Sequence, residues 1–129
     1  MWIFTQYGFF SAVCARDEQG QPNPEEMMIR ARDKEHLERL QERFHQLRAY
    51  QIKESPRADY RYRIIVGKPV WAEVSLELVQ EIDYDNFKDK VAETYADNDN
   101  MMRYEHSLHQ VWQVMFSLQH LAHRFLGAK

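Results

Sequence analysis

The sequence predicts an α+β fold in which two strand–strand–helix units are followed by two further helices. Stretches rich in β-branched and aromatic residues occur in pairs, with turn-forming residues between the members of a pair. Each pair precedes a stretch whose apolar residues recur at the 3.6-residue period of a helix. A chain of 129 residues with 44% hydrophobic residues is long enough and apolar enough for one domain with a core of its own.

The first unit contains a long strand, a second strand and a helix. Residues 2–15 have strand composition without proline, and we expect one strand with a bulge at Gly8. After a turn-like segment, residues 27–32 resume a strand, and Asp33 is a suitable N-cap for the helix that follows. The residues expected on the buried face of this helix are Leu37, Leu40, Phe44 and Leu47.

The second unit repeats this order. Residues 50–55 predict a short strand, and "PRAD" predicts a turn. Residues 60–67 predict a strand with Tyr60, Tyr62, Ile64 and Val66 on one face. Pro69 suits the start of a helix that continues to Asp83. Its expected apolar stripe consists of Val70, Trp71, Val74, Leu78 and Ile82.

This ββαββα order matches a four-stranded antiparallel ferredoxin-like sheet whose last strand has been moved to the front of the chain. The second and fourth strands would be central, the first and third would lie at the edges, and both helices would cover one face. Two more helices are expected at about 85–95 and 101–126. We therefore expect a single α+β domain over residues 1–129, with a ββαββα unit at 1–83 and a C-terminal helical pair at 84–129.

Composition argues against several classes of protein. No window approaches the ~20 apolar residues of a membrane span, and the N-terminal segment lacks the basic leader of a signal peptide. Cys14 is the only cysteine, which excludes an intramolecular disulfide and favours a reducing compartment, so we expect a cytoplasmic protein. The formal net charge of −3 argues against general affinity for nucleic acid, although a local basic patch is compatible with it.

Arginines at alternating positions are the first candidate binding feature. Arg30 and Arg32 lie in the second predicted strand, and Arg61 and Arg63 lie in the fourth, so each pair projects from one side of its strand. If these strands are neighbours, four guanidinium groups share one face of the sheet. An open sheet face tolerates surface arginines without any ligand. The functional interpretation is a basic floor that binds phosphate or carboxylate through forked hydrogen bonds.

Four histidines near the C-terminus are the second feature. His106, His109, His120 and His123 fall within about 60° of arc on the last helix. His109 and His120 are about 16 Å apart along the axis, so one metal ion cannot bind all four, and we expect neither a metal nor a cofactor. A solvated polar face explains His120 and His123. If this helix covers the basic face, His106 and His109 become walls of a cleft and candidates for proton transfer.

A separate arc of about 140° on the same helix is expected to face the core. Its residues are Leu108, Val111, Trp112, Met115, Leu118, Ala122 and Phe125.

The segment "EIDYDNFKDKVAE" is the third feature. It predicts a tight corner between two helices with N-capping side chains, which explains its acidic residues structurally. The functional alternative is an anion site at the start of the second helix, with Lys88 as the cation. The candidate ligand-binding residues of this corner are Asp83, Tyr84, Asn86 and Lys88.

These motifs resemble those of a group of small bacterial proteins without an established activity. The matching segments are "MWIFTQYGFFS" at 1–11, "DYDNFK" at 83–88 and "HQVW" at 109–112. The pattern includes Arg30 with Arg32, and Asp59 with Tyr60, and it spans nearly the whole chain. The resemblance implies a grouping and no particular reaction.

Three functions compete at this point. The first is binding, with or without catalysis, of a phosphate-bearing small molecule such as a nucleotide in a basic cleft between the sheet and the C-terminal helix. The second is a single-stranded nucleic-acid module in which Tyr7, Phe9 and Tyr62 stack on bases, and the acidic net charge weighs against it. The third is a protein-interaction or homodimerisation role without chemistry.

Overall fold

The computed structural model describes residues 1–127, with side chains for residues 1–120. Its strands are β1 (Trp2–Thr5), β2 (Gly8–Arg16), β3 (Pro22–Ala31), β4 (Lys53–Glu54) and β5 (Tyr62–Gly67). Its α-helices are α1 (Lys34–Arg43), α2 (Lys68–Gln80), α3 (Phe87–Thr94) and α4 (Asp99–Gly127), and a 3₁₀ turn spans His45–Leu47. None of the described helices is both long and apolar enough to span a bilayer.

The chain divides into two compact units, Met1–Asp83 and Tyr84–Lys129. We call them the sheet unit and the helical unit and describe them in turn. The single domain expected over residues 1–129 stays a prediction.

The sheet unit contains a five-stranded antiparallel sheet with the order β1-β2-β3-β5-β4. The predicted α+β class is therefore confirmed, while the predicted number of four strands is wrong. The pairing of β3 with β5 agrees with the expectation that the second and fourth predicted strands are neighbours. The permuted ferredoxin-like arrangement stays a prediction.

The additional strand arises because the segment predicted as one strand folds back on itself. Thr5 Oγ1 accepts hydrogen bonds from the backbone N–H groups of Tyr7 and Gly8 at 3.0 and 3.2 Å, and closes a tight turn. Gly8 has a φ of +147°, a conformation that side-chain-bearing residues rarely adopt. The predicted bulge at Gly8 is thus a hairpin turn, and the irregular register of β2 lies instead between Cys14 and Ala15.

Strand ends also differ from the prediction. β3 begins at Pro22, earlier than predicted. Residues 22–26 were expected to form a loop, but this segment joins the sheet, where Asn23 pairs with Ala15 near the end of β2. β5 begins at Tyr62, two residues later than expected. Tyr60 therefore lies outside the strand, and its side chain need not follow the alternation of β5.

The core of the sheet unit lies between one face of the sheet and the helices α1 and α2. Alternate residues of the strands and the apolar faces of the two helices pack together there. Asp33 caps the N-terminus of α1, because its side chain accepts a hydrogen bond from the Glu35 N–H at 3.0 Å. All four residues predicted for the α1 face are buried, but the predicted extent of the helix is wrong, because α1 ends at Arg43, Phe44 has extended backbone and Leu47 lies in the 3₁₀ turn. The central members of the core are Phe10, Ala12, Ile29, Ala31, Leu37, Leu40, Phe44, Leu47, Ile64, Val66, Trp71 and Val74.

Helix α2 is shorter than predicted. Pro69 lies in its first turn, as expected, but the helix ends at Gln80 rather than near Asp83. Ile82 is consequently 55% exposed, so its assignment to the core stripe is wrong. Leu76 and Val79 are exposed as well.

In the helical unit, α3 packs against α4. Asn86 caps α3 by accepting a hydrogen bond from the Asp89 N–H at 3.1 Å, as the corner motif predicts. Val91 of α3 and Leu108 of α4 are buried.

The apolar face predicted for α4 is buried only in its first half. Leu108 is 5% exposed, whereas Trp112, Met115 and Leu118 are each more than half exposed, so their assignment to a core is wrong. Ala122 and Phe125 lie outside the described side chains.

Candidate functional site

The β3–β5 pairing places two of the predicted arginines directly opposite each other. Arg30 and Arg63 are register partners in adjacent central strands. Their neighbours Ile29 and Ile64 are fully buried on the core face, so alternation directs both arginines to the opposite face, which we call the second face of the sheet. Both arginine side chains are half-buried. Like charges that face each other directly across two strands destabilise a sheet, so the stability of the fold alone does not favour this pair.

Arg30 is held in place by a serine and a tyrosine. Its Nη2 donates a hydrogen bond to Ser11 Oγ at 2.8 Å, and Ser11 in β2 is only 1% exposed. The guanidinium carbon also lies 4.5 Å from the centroid of the Tyr60 ring, within range of a cation–π interaction. The Nε of Arg30 is buried and has no hydrogen-bond partner among the described residues.

Tyr60 connects the three arginines of the second face. The centroid of its ring is 4.5 Å from the guanidinium carbon of Arg30 and 4.5 Å from that of Arg32. The same ring therefore contacts both guanidinium groups. Its backbone carbonyl accepts a hydrogen bond from Arg63 Nη2 at 2.9 Å. Arg30, Arg32 and Arg63 therefore form one cluster around Tyr60, which we call the arginine group.

Tyr60 lies on the other face of the sheet from the one predicted. It was expected on the same face as Tyr62 and Ile64, but its ring contacts Phe9 of the second face, with centroids 6.3 Å apart. The side chain is 4% exposed, and its hydroxyl has no hydrogen-bond partner in the part of the chain whose side chains are described. A buried hydroxyl without a partner is costly, so the fold holds Tyr60 in place at the expense of this hydrogen bond.

The arginine group has no carboxylate counter-ion among the described residues, whereas three of the six other arginines of the sheet unit have one. Arg39 pairs with Glu35 at 3.6 Å. Arg43 pairs with Glu81, whose other oxygen accepts a hydrogen bond from Tyr7 at 2.8 Å. Burial and this carboxylate raise the pKa of Tyr7 far above its ordinary value, which keeps its hydroxyl protonated.

Arg61 does not join the arginine group. It is exposed, and its guanidinium binds the Glu54 carboxylate of β4 with nitrogen–oxygen distances of 2.6 and 2.7 Å. The hydrogen bond and the charge of Glu54 raise the pKa of Arg61 above its ordinary value. Of the four arginines predicted to share one face, the structure therefore brings three together.

A line of aromatic side chains extends from the arginine group across the second face. Phe9, which contacts Tyr60, stacks on Phe4 with ring centroids 4.6 Å apart. Trp2 meets the Phe9 ring edge-on at 6.0 Å and is 69% exposed. The sheet unit thus has a line of aromatic side chains next to a cationic cluster, and Trp2 is the exposed end of this line.

The backbone of Phe9 is anchored from the core side by His36, a residue that was not among the predicted site residues. The His36 ring is 8% exposed, and its Nδ1 accepts a hydrogen bond from the Phe9 N–H at 3.3 Å. Burial lowers the pKa of His36 below its ordinary value, which favours the neutral ring that can accept this bond. A Cβ atom at Gly8 would lie only 2.3 Å from the ring, so glycine is required there. No local signal distinguishes His36, because its role depends on this non-local contact.

The predicted corner residues belong mainly to the helical unit and have structural partners there. The rings of Tyr84 and Phe87 are 5.9 Å apart, and Asn86 is the N-cap of α3. The ammonium of Lys88 lies 4.8 Å from the centroid of the Trp112 ring. Asp83, the last residue of the sheet unit, is exposed. The cation proposed for an anion site at this corner is therefore engaged with an aromatic ring.

The histidines of α4 are exposed. His109 Nε2 lies 2.5 Å from Glu105 Oε1, one helical turn away, and His106 is solvent-exposed. His120 meets the Phe116 ring edge-on at 4.8 Å, and the side chain of His123 lies outside the described residues. Within the described residues, no group of three or more His, Cys, Asp or Glu side chains could hold a metal ion.

Comparison of the chain with protein-family models, with curated proteins and with solved structures gave no significant match. The resemblance to the group of small bacterial proteins therefore stays a prediction.

Proposed function

We propose that the protein binds a phosphate-bearing small molecule through Arg30, Arg32 and Arg63. The observation that carries this proposal is that three clustered guanidinium groups, two of them half-buried and directly opposed, have no carboxylate partner among the described residues. A bound dianion removes the repulsion between the arginines and supplies acceptors for their remaining N–H groups.

The donor set suits a phosphate group. A guanidinium has five N–H donors in a planar fork, and only some of those on Arg30 and Arg63 are used by Ser11, Met28 and Tyr60. The Nε groups of both arginines and the Tyr60 hydroxyl are unpartnered within the described side chains. A phosphate has several acceptor oxygens and two negative charges near neutral pH, so it accepts hydrogen bonds from more of the terminal guanidinium N–H groups than a single carboxylate does.

Nucleotides are the class of phosphate ligand that this face favours. The Trp2 ring is exposed and belongs to the same aromatic line as Phe9 and Tyr60. A nucleotide phosphate at the arginine group leaves its base free to stack on an exposed ring, and such stacking is worth about 1–3 kcal/mol per base. A cytoplasmic setting belongs to this proposal, because the single Cys14 suits a reducing compartment.

The proposal concerns binding and uses residues of the sheet unit alone. His106 and His109 belong to the helical unit, and their predicted part in a cleft and in proton transfer stays a prediction. Arg61, paired with Glu54, is left out of the binding set.

Isothermal titration calorimetry in a phosphate-free buffer tests the proposal. Inorganic phosphate, AMP, ATP and adenosine are titrated into the full chain and into the Arg63→Gln and Arg61→Gln variants. Loss of a charge-assisted hydrogen bond of about 1.5–3 kcal/mol at position 63 weakens phosphate-ligand binding by about 10- to 100-fold. The Arg61→Gln control removes the same charge from an exposed ion pair and leaves the affinity within about twofold.

Two outcomes overturn the proposal. One is that no phosphate compound binds, and the other is that Arg63→Gln and Arg61→Gln have equal effects. Short oligonucleotides test the nucleic-acid alternative in the same instrument. An affinity that rises steeply with strand length and falls with salt assigns the second face to single-stranded nucleic acid instead.

A further inference from the structure

We propose that the phosphate ligand is a nucleoside triphosphate, and that Lys53 of β4 is a further binding residue for the end of its phosphate chain. This inference rests on the proposed function, because it places the ligand at Arg30, Arg32 and Arg63. The observation that carries it is one row of register partners that crosses all five strands of the sheet. In the spatial order of the strands from β1 to β4, the row consists of Trp2, Ser11, Arg30, Arg63 and Lys53.

The side chains of this row lie on the second face of the sheet. Residues directly opposite each other in an antiparallel sheet project from the same face, because the pleats of neighbouring strands are in phase. Lys53 is opposite Arg63, so it projects from the second face as well. Trp2 lies on that face too, where its ring contacts Phe9. The row therefore runs from an exposed aromatic ring at one edge of the sheet to an exposed lysine at the other.

Lys53 extends the series of opposed cations from two strands to three. Arg30, Arg63 and Lys53 are successive partners in β3, β5 and β4, so two cross-strand pairs of like charge adjoin each other. The neighbouring Glu54 does not neutralise Lys53, because alternation directs it to the other face, and its carboxylate binds Arg61. No ion pair among the described residues includes Lys53. The positive charge of the row is therefore uncompensated across three strands.

The charge and the length of the row match a triphosphate better than a single phosphate. A monophosphate ester carries about two negative charges near neutral pH, whereas a nucleoside triphosphate carries about four, which the arginine group and Lys53 together balance. Neighbouring strands are about 4.8 Å apart, so the backbone of Trp2 is roughly 10 Å from that of Arg30 and roughly 19 Å from that of Lys53 across the sheet. With its base stacked on Trp2, a monophosphate ends near Arg30. A triphosphate continues along the row past Arg63, and the long, flexible Lys53 side chain reaches back to its last phosphate.

Calorimetric titration of the full chain with AMP, ATP and inorganic tripolyphosphate tests this inference, and ATP should bind more tightly than AMP. Lys53→Gln should weaken the binding of ATP and tripolyphosphate by about 10-fold, because it removes a charge-assisted contact, and should leave AMP within about twofold. Trp2→Ala should weaken AMP and ATP by about 10-fold and leave tripolyphosphate within about twofold, because only the nucleotides have a base to stack.

The matched control is Lys68→Gln, which removes the same charge from an exposed lysine at the start of α2. Lys68 follows the end of β5, roughly 16 Å along the strand from Arg63, and at about 0.1 M salt a charge at this distance is largely screened. Lys68→Gln should therefore leave the affinity for all three compounds within about twofold.

Trp2 and Lys53 are exposed, so both substitutions are compatible with the fold, and circular dichroism verifies this. If Lys53→Gln leaves ATP binding unchanged, the inference is overturned while the proposed function stands. Lys53 then has the common role of a lysine in an edge strand, which is to prevent edge-to-edge association of sheets. An equal loss of AMP and ATP affinity in Lys53→Gln also overturns the inference. If none of the three compounds binds, the proposed function fails together with it.

Discussion

In β3, Ile29 is fully buried in the core, while the next residue, Arg30, lies on the second face and contacts Ser11 and the Tyr60 ring. The same alternation occurs in β5, where Ile64 is buried and Arg63 is directly opposite Arg30. One face therefore holds the fold together by burying apolar surface, and the other gathers cations that oppose it. Repelling charges do not stabilise the fold, and this is why the proposed binding site is assigned to the second face.

The largest expected effect comes from neighbouring phenylalanines on the two faces. Phe10 is completely buried in the core, and Phe10→Ala should lower the free energy of unfolding by about 3–5 kcal/mol. Phe9 is only half-buried on the second face, so Phe9→Ala should cost about 1–2 kcal/mol. Urea denaturation of both variants measures the difference. Equal losses would mean that the second face contributes to stability as the core does.

A smaller effect is expected at His36, which links the two faces through the Phe9 N–H. The unfolded chain protonates this histidine near its ordinary pKa of 6.5, whereas burial lowers the pKa in the folded protein. Above pH 6.5 the neutral His36 side chain therefore makes its full contribution to the free energy of unfolding. This contribution is lost as the pH falls from 6.5 towards the lower pKa of His36 in the folded protein. His36→Gln should reduce the free energy of unfolding at pH 7 by about 1–2 kcal/mol and flatten this part of the pH profile.

The control for this profile is His45, which is exposed. Urea midpoints at pH 7 and pH 5 should differ less for His36→Gln than for the wild type, and His45→Gln should behave like the wild type. A wild-type profile that is flat between these pH values would contradict the role given to His36.

The smallest effect is the repulsion between Arg30 and Arg63. In a double-mutant cycle, each single Arg→Met change relieves the same repulsion, whereas the double variant relieves it only once. The double variant should therefore be less stable than the sum of the single effects predicts, by about 0.2–1 kcal/mol at low salt, and the difference should shrink as salt is added.

The exposed ion pair of Arg61 and Glu54 is the control for this double-mutant cycle. Its coupling energy should have the opposite sign, because these two side chains attract each other by about 0–1 kcal/mol. Thermal or urea unfolding without phosphate measures both cycles. If Arg30 and Arg63 were coupled by attraction, the charge argument for the ligand site would fail.

Local patterns were sufficient to predict much of the sheet unit. The apolar residues of α1 recur at helical spacing, and Asp33 has the short oxygen-bearing side chain of an N-cap, so both the helix and its start were predictable. Asn86 at the start of α3 was predictable for the same reason. The arginines of the candidate site were also apparent, because alternation along one strand is a property of neighbouring residues.

Contacts between distant residues were not predictable in this way. Residues 2–15 have uniform strand composition, and only the Thr5 hydrogen bonds and the φ of Gly8 reveal the turn that adds a fifth strand. The place of Tyr60 depends on where β5 begins, and the exclusion of Arg61 depends on Glu54 in the neighbouring strand.

The sequence by itself determined the approximate positions of the helices, the strand composition of residues 2–15, 27–32 and 60–67, and the presence of arginines at alternating positions. Only the tertiary structure decided that Arg30 and Arg63 are register partners and that Tyr60 lies between the arginines of the second face and Phe9. It also decided that the predicted apolar face of α4 is buried in its first half and exposed in its second half. The physical reason is that periodicity reports the local geometry of the backbone, whereas register and burial depend on which distant surfaces meet.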